Sequence, residues 1–121
     1  MGLKYMDDLI IYRIDALLEH IDLVISDTNG LSITEIENDN LLLRATCFSL
    51  SQIGEMMVQL EEKLISQFPE LPWNRARGMR NIIIHDYRGT DIKMVYSTIH
   101  NDLPNLKQSF LEIKNKFTNN D

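Results

Sequence analysis

A single cysteine, Cys47, occurs in the 121-residue chain. No internal disulfide framework is possible, which fits a reducing, cytoplasmic compartment. Cys47 lies in an apolar helical run and reads as a small buried hydrophobe rather than a reactive thiol. No stretch approaches the roughly 20 apolar residues needed to cross a bilayer, so no membrane partner is expected. The opening Met1-Gly2-Leu3-Lys4-Tyr5-Met6-Asp7 is too polar for a signal-peptide core, and Met6 stands where a myristoylation motif needs Ser or Thr. The five glycines are scattered at 2, 30, 54, 78 and 89 and form no phosphate-cradling loop. Internal repeats, low-complexity tracts and useful lengths of strand-type alternation are also missing. A nucleotidyltransferase is excluded by the lack of strands and of a Gly-Ser turn followed by paired aspartates. His20, His85 and His100 each lack a Glu three residues before them, which argues against a ferritin-like metal bundle. No metal and no cofactor are expected.

What is present is an ordinary globular composition, with 44% apolar and 25% charged residues, in one domain spanning 1–121. Net charge is −6, against binding a nucleic acid through the bulk field of the protein. The charge is uneven. Between Arg75 and Arg88 four arginines (75, 77, 80 and 88) face one acid, Asp86, a local excess of +3. Such a cluster on an acidic body suits a confined phosphate site; a merely solvated helix face is the plainer reading.

Apolar spacing predicts helices throughout. Ile10, Ile14, Leu17, Ile21 and Val24 step by four and three between Tyr5 and Ser26, a seam for packing on another helix. Asp27-Thr28-Asn29-Gly30 ends that helix. Ser32-Ile33-Thr34-Glu35 is a capping-box pattern opening a short helix. A long helix is expected from about Asp39 to Phe68, with Ala45, Phe48, Ile53, Met57, Leu60, Leu64 and Phe68 on one stripe, closed by Pro69 and Pro72. Gly54 within it costs roughly 1 kcal/mol relative to Ala, which marks a place where another backbone comes close. A third long helix starts near Pro72 or Trp73 and runs to Gly89. Thr90 or Asp91 then caps a shorter helix with Ile92, Val95 and Ile99 inward. Asp102-Leu103-Pro104 reads as a break before a terminal helix carrying Leu106, Phe110, Ile113 and Phe117. Met56, Met57 and Met79 read as core rather than an adaptable binding surface. The expected fold is an all-α antiparallel bundle of four or five helices.

The chemistry concentrates in Arg80-Asn-Ile-Ile-Ile-His-Asp-Tyr87. Arginine grips phosphate and histidine moves protons, a minimal set for phosphodiester cleavage. Asn81 can orient the imidazole or donate to a phosphate oxygen. Tyr87, seven residues from Arg80, shares its helix face, whereas His85 lies about 140° away on an ideal helix. A loosened helix end, or a symmetric dimer pairing two copies, would bring Arg80 and His85 together. Against this stands a bland alternative: His85 caps terminal carbonyls and Arg80 pairs with an acid. A non-catalytic helical adaptor using the same face is the rival function.

The Arg80-x4-His85-x-Tyr87 pattern resembles the motif of the HEPN superfamily, in its HepT-like branch of minimal ribonuclease toxins. Ile53-Gly54-Glu55, Phe68-Pro69-Glu70-Leu71-Pro72-Trp73, His85-Asp86-Tyr87 and Asn101-Asp102-Leu103-Pro104-Asn105-Leu106 are similar to further family landmarks, in order. The resemblance covers about Tyr5 to Phe117. It implies a helical homodimer with the motif helices at the two-fold, and metal-independent RNA cleavage by attack of the 2′-hydroxyl on the adjacent phosphate. By that resemblance His85 would transfer the proton, Arg80 would stabilise transition-state charge, and Asn81 would assist. It further implies a nucleotidyltransferase antitoxin that adenylylates Tyr87.

Overall fold

The computed structural model describes residues 2–81, 89 and 91–119. All elements among them are helical: α1 (Gly2–Thr28), α2 (Ile33–Asn38), α3 (Asn40–Leu64), α4 (Trp73–Met79), α5 (Ile92–Ser97), a π-helical turn (Thr98–Asp102) and α6 (Leu103–Thr118). The bundle is organised around the pairs α1–α3, α3–α4 and α1–α6.

Local sequence accounts for most boundaries. The row Ile10, Ile14, Leu17, Ile21 and Val24 is buried as its spacing predicts. At the end of α1, Thr28 Oγ1 donates to the Val24 carbonyl at 2.7 Å. Gly30 then turns the chain at φ +77°, where a side chain would be strained. The capping box at α2 is formed in both directions: Glu35 N–H donates to Ser32 Oγ at 3.1 Å, and Ser32 N–H donates to Glu35 Oε1 at 3.0 Å. Asp39 caps α3 by accepting from Leu42 N–H at 3.0 Å, and Asp91 caps α5 by accepting from Lys93 and Met94 N–H at 3.0 and 3.3 Å. Ion pairs Asp22–Lys107 at 2.7 Å and Asp15–Lys114 at 2.6 Å set α1 antiparallel to α6.

Four expectations change. The inward stripe of α3 is Leu43, Cys47, Leu50, Ile53, Met57, Leu60 and Leu64; Ala45 and Phe48 face outward, Phe48 being 57% exposed. Placing Ala45 and Phe48 on the stripe requires a jump of five to Ile53, whereas the buried row keeps steps of three and four. α3 ends at Leu64, not Phe68, because Gln67 and Phe68 N–H both return to the Leu64 carbonyl ahead of Pro69. α4 ends at Met79, with Arg80 and Asn81 in a tightened turn; the rest of the expected third helix, Ile82 to Arg88, lies outside the described residues, as does Thr90. Asp102-Leu103-Pro104 is no break. Leu103 N–H reaches back five residues to the Thr98 carbonyl, so a widened turn takes up the strain that the Pro104 ring would impose on the preceding turn.

Cys47, Met57 and Met79 are buried and Met56 packs against the core, so these residues are core as read. Trp73 sets the start of α4. Its Nε1–H donates to the Phe68 carbonyl at 3.0 Å, and its ring meets the fully buried Phe110 edge-on at 6.4 Å. With Ala76 and Met79 also buried, α4 is held against the core by one face, and its arginines point along its flanks.

Candidate functional site

Where α3 and α4 touch, glycine decides the spacing. A Cβ built on Gly54 would sit 2.4 Å from Arg80 N, 2.9 Å from Arg80 Cα and 3.0 Å from the Ala76 carbonyl oxygen. The close approach of another backbone, inferred from the cost of a mid-helix glycine, is therefore met by Arg80 itself. At this contact the last turn of α4 tightens, with Arg80 N–H donating to Arg77 O and Asn81 N–H to Gly78 O, both at 3.2 Å.

The side chain of Arg80 meets Glu55, the residue after Gly54, through Nε at 3.0 Å from Oε2. Gln59 Nε2 donates to the other Glu55 oxygen at 3.3 Å. Arg80 and Glu55 side chains are 52% and 35% exposed, so the pair itself contributes at most about 1 kcal/mol. Arg77 is held differently, by Nη1 to Asn74 Oδ1 at 2.7 Å and by Nη2 to Glu61 Oε2 at 2.8 Å. Arg75 Nη2 lies 3.2 Å from Asp102 Oδ2, close enough to pair charges but not aligned for a hydrogen bond, and among the described residues that buried oxygen has no hydrogen-bond donor.

Three of the four clustered arginines thus fold against carboxylates. The local excess of +3 is largely offset on the described surface, and the part of the bland alternative in which Arg80 pairs with an acid is what the structure has. Asn81 is exposed beside Arg80. His85 and Tyr87 lie outside the described residues. Glu55 as the partner of Arg80 was not read from sequence, although Gly54 beside it carried the signal that a backbone arrives there.

Between α4 and α5 lies a cavity of about 200 Å³ lined by Arg75, Gly78, Met79, Met94, Ser97, Thr98 and Asp102. The other two histidines are elsewhere: His20 Nδ1 is 3.4 Å from Ser49 Oγ with its ring edge-on to Phe48, and His100 packs on Tyr96 at 4.1 Å. Among the described residues no three His, Cys, Asp or Glu side chains converge to hold a metal ion, and no helix is long and apolar enough to cross a membrane.

A family model described as ribonuclease HepT-like matches residues 17–113. The chain belongs to the ribonuclease HepT-like family. It is 29% identical over 103 residues to a Caldanaerobacter subterraneus subsp. tengcongensis protein named "Putative RNase TTE0752", covering 85% of this chain and 92% of that one. It is 30% identical over 92 residues to "Putative RNase MJ1380" of Methanocaldococcus jannaschii, covering 76% and 84%. It is 27% identical over 101 residues to "Probable ribonuclease HepT" of Thermococcus cleftensis, covering 84% and 92%. No solved structure matches the chain. The Arg80–Glu55 contact joins α3 to the turn after α4, both inside the matched span.

Proposed function

We propose that this protein is a metal-independent endoribonuclease and the toxin of a toxin–antitoxin pair. The observation that carries this reading is the setting of Arg80, at the C-terminal end of α4, half exposed, and ion-paired through its inner nitrogen with Glu55. Family membership and the ribonuclease names of the relatives support it. In the reaction, His85 takes the proton of an RNA 2′-hydroxyl or gives one to the leaving oxygen. The O2′–P bond forms, the P–O5′ bond breaks, and a 2′,3′-cyclic phosphate and a 5′-hydroxyl result. Arg80 stabilises the charge that builds on the non-bridging oxygens, and Asn81 assists. No cofactor enters this scheme. Incubation of single-stranded RNA with the purified protein in EDTA tests it: cleavage should persist at an unchanged rate, and a requirement for added Mg²⁺ would sink the mechanism.

The active form is a homodimer whose two-fold brings together the segments following α4, so that Arg80 and His85 converge in one cleft. Such an interface should bury roughly 1,000 Å² or more in total. Sedimentation velocity at micromolar concentration should therefore give a dimer; a monomer there would refute the assembly.

Neutralisation is by a nucleotidyltransferase antitoxin that adenylylates Tyr87. A nucleotide placed there brings a phosphodiester charge and bulk next to Arg80, where it competes for the contact meant for substrate phosphate. Protein made with the antitoxin should be inert and carry one or more adenylate mass increments on Tyr87. Tyr87→Phe should cleave RNA and escape silencing. Complete silencing of that variant without added mass would mean inhibition by binding alone.

A further inference from the structure

Resting on the ribonuclease reading, the geometry points to Glu55 as the positioning residue that aims Arg80 at the scissile phosphate. A guanidinium can meet a phosphate through a pair of nitrogens, and which pair is free depends on how the side chain is tethered. Among the three arginines described in this cluster, Arg77 commits both terminal nitrogens, to Asn74 and Glu61, and Arg75 commits Nη2 to Asp102. Arg80 alone approaches its carboxylate through Nε, 3.0 Å from Glu55 Oε2, a charge pairing rather than an aligned hydrogen bond, and among the described residues its Nη1–Nη2 edge makes no hydrogen bond. That edge has the fork geometry a phosphate takes.

The tether is built from the backbone outward. Gly54 lets the Arg80 backbone close to within a distance that a Cβ would forbid, 2.4 Å from Arg80 N. The base of the arginine is therefore fixed against α3, one residue from the carboxylate that pairs with its Nε. Gln59 occupies the second oxygen of that carboxylate at 3.3 Å, which keeps Glu55 from rotating away. An untethered arginine loses rotamer freedom when it engages a ligand; here part of that loss precedes substrate binding. Because the charge on the phosphate oxygens grows toward the transition state, a misdirected Arg80 should harm turnover more than ground-state binding.

The experiment compares wild type, Glu55→Gln and Glu55→Ala. Glutamine keeps the side-chain length and a carboxamide oxygen beside Nε; alanine keeps neither. Glu55→Ala should lower kcat for a single-stranded RNA by about 10- to 100-fold while KM changes less than about threefold, and Glu55→Gln should recover activity to within about threefold of wild type. The Nε–Hε NMR resonance of Arg80, assigned by its loss in Arg80→Lys, should be slow to exchange in wild type and Glu55→Gln and exchange-broadened in Glu55→Ala. Wild-type turnover in Glu55→Ala, or tighter RNA binding with faster cleavage, would overturn the inference and make Glu55 a mere shield of Arg80. Equal losses in the glutamine and alanine variants would overturn it as well. If the wild type cleaves no RNA, the ribonuclease reading fails on its own, and the tether is then judged by the resonance: unchanged Hε exchange in Glu55→Ala refutes it.

Discussion

Gly54→Ala should destabilise the protein by about 2 kcal/mol, although alanine is the better helix former. Two opposed effects set the sign. Replacing a mid-helix glycine by alanine gains about 1 kcal/mol in helix propensity. Against that, the new methyl would sit 2.4 Å from Arg80 N and 3.0 Å from the Ala76 carbonyl oxygen. These are backbone atoms of a helix already anchored in the core by Trp73, Ala76 and Met79, and they cannot swing aside as a side chain could. Overpacking of this kind costs about 1–3 kcal/mol, and contact with backbone falls at or beyond the upper end. Gly78→Ala supplies the control. Among the described residues a Cβ there meets nothing within 4 Å, so the propensity gain should dominate, and that variant should be neutral or slightly more stable. Urea unfolding followed by far-ultraviolet circular dichroism checks both. The Gly54→Ala midpoint should fall at unchanged slope. A Gly54→Ala protein as stable as wild type would mean that α3 and α4 are not in contact as described.

The same pair of glycines separates what the sequence could reveal from what it could not. Gly54 stood out because a glycine inside a long helical pattern has a cost that needs a cause, and the cause is local to one backbone. The α1 seam and the capping box at Ser32 were legible for a similar reason: each is written in residues three or four apart. The α3 stripe was misphased because Phe48, a large aromatic, drew the seam toward itself, while the smaller Cys47 and the flanking Leu43 and Leu50 mark the buried row. The π turn before Pro104 was hidden because a proline can be answered by a break or by a wider turn, and only packing chooses. Least legible were the ion pairs. Glu55, Glu61 and Asp102 come from other elements of the bundle to meet Arg80, Arg77 and Arg75. A local charge count therefore overstated the positive field. The angular objection to pairing Arg80 with His85 rested on one continuous ideal helix. α4 ends at Met79, and His85 lies outside the described residues.

His85→Ala and Arg80→Ala should each remove most RNA cleavage while leaving the fold intact, and their combination should cost little more than either. Loss of a proton-transfer group is worth about 10²–10⁴ in rate. Loss of one preorganised charge contact to the transition state is worth about 10²–10³. The two act on the same developing phosphorane, so the double variant should fall far short of the product of the single effects. Stability gives the needed separation for Arg80. Its side chain is 52% exposed and its ion pair with Glu55 lies at the surface, so Arg80→Ala should shift unfolding by less than about 1 kcal/mol. Asn81→Ala should produce a smaller rate loss than either, as an assisting group. All four proteins should be assayed in EDTA on one single-stranded RNA, with dimer content measured in parallel, because a variant that merely dissociated would also lose a composite site. The adaptor reading predicts the opposite pattern: no cleavage by wild type, and unimpaired partner binding by Arg80→Ala and His85→Ala. Cleavage that survives in both single variants at the wild-type rate would show that the nuclease chemistry uses other residues.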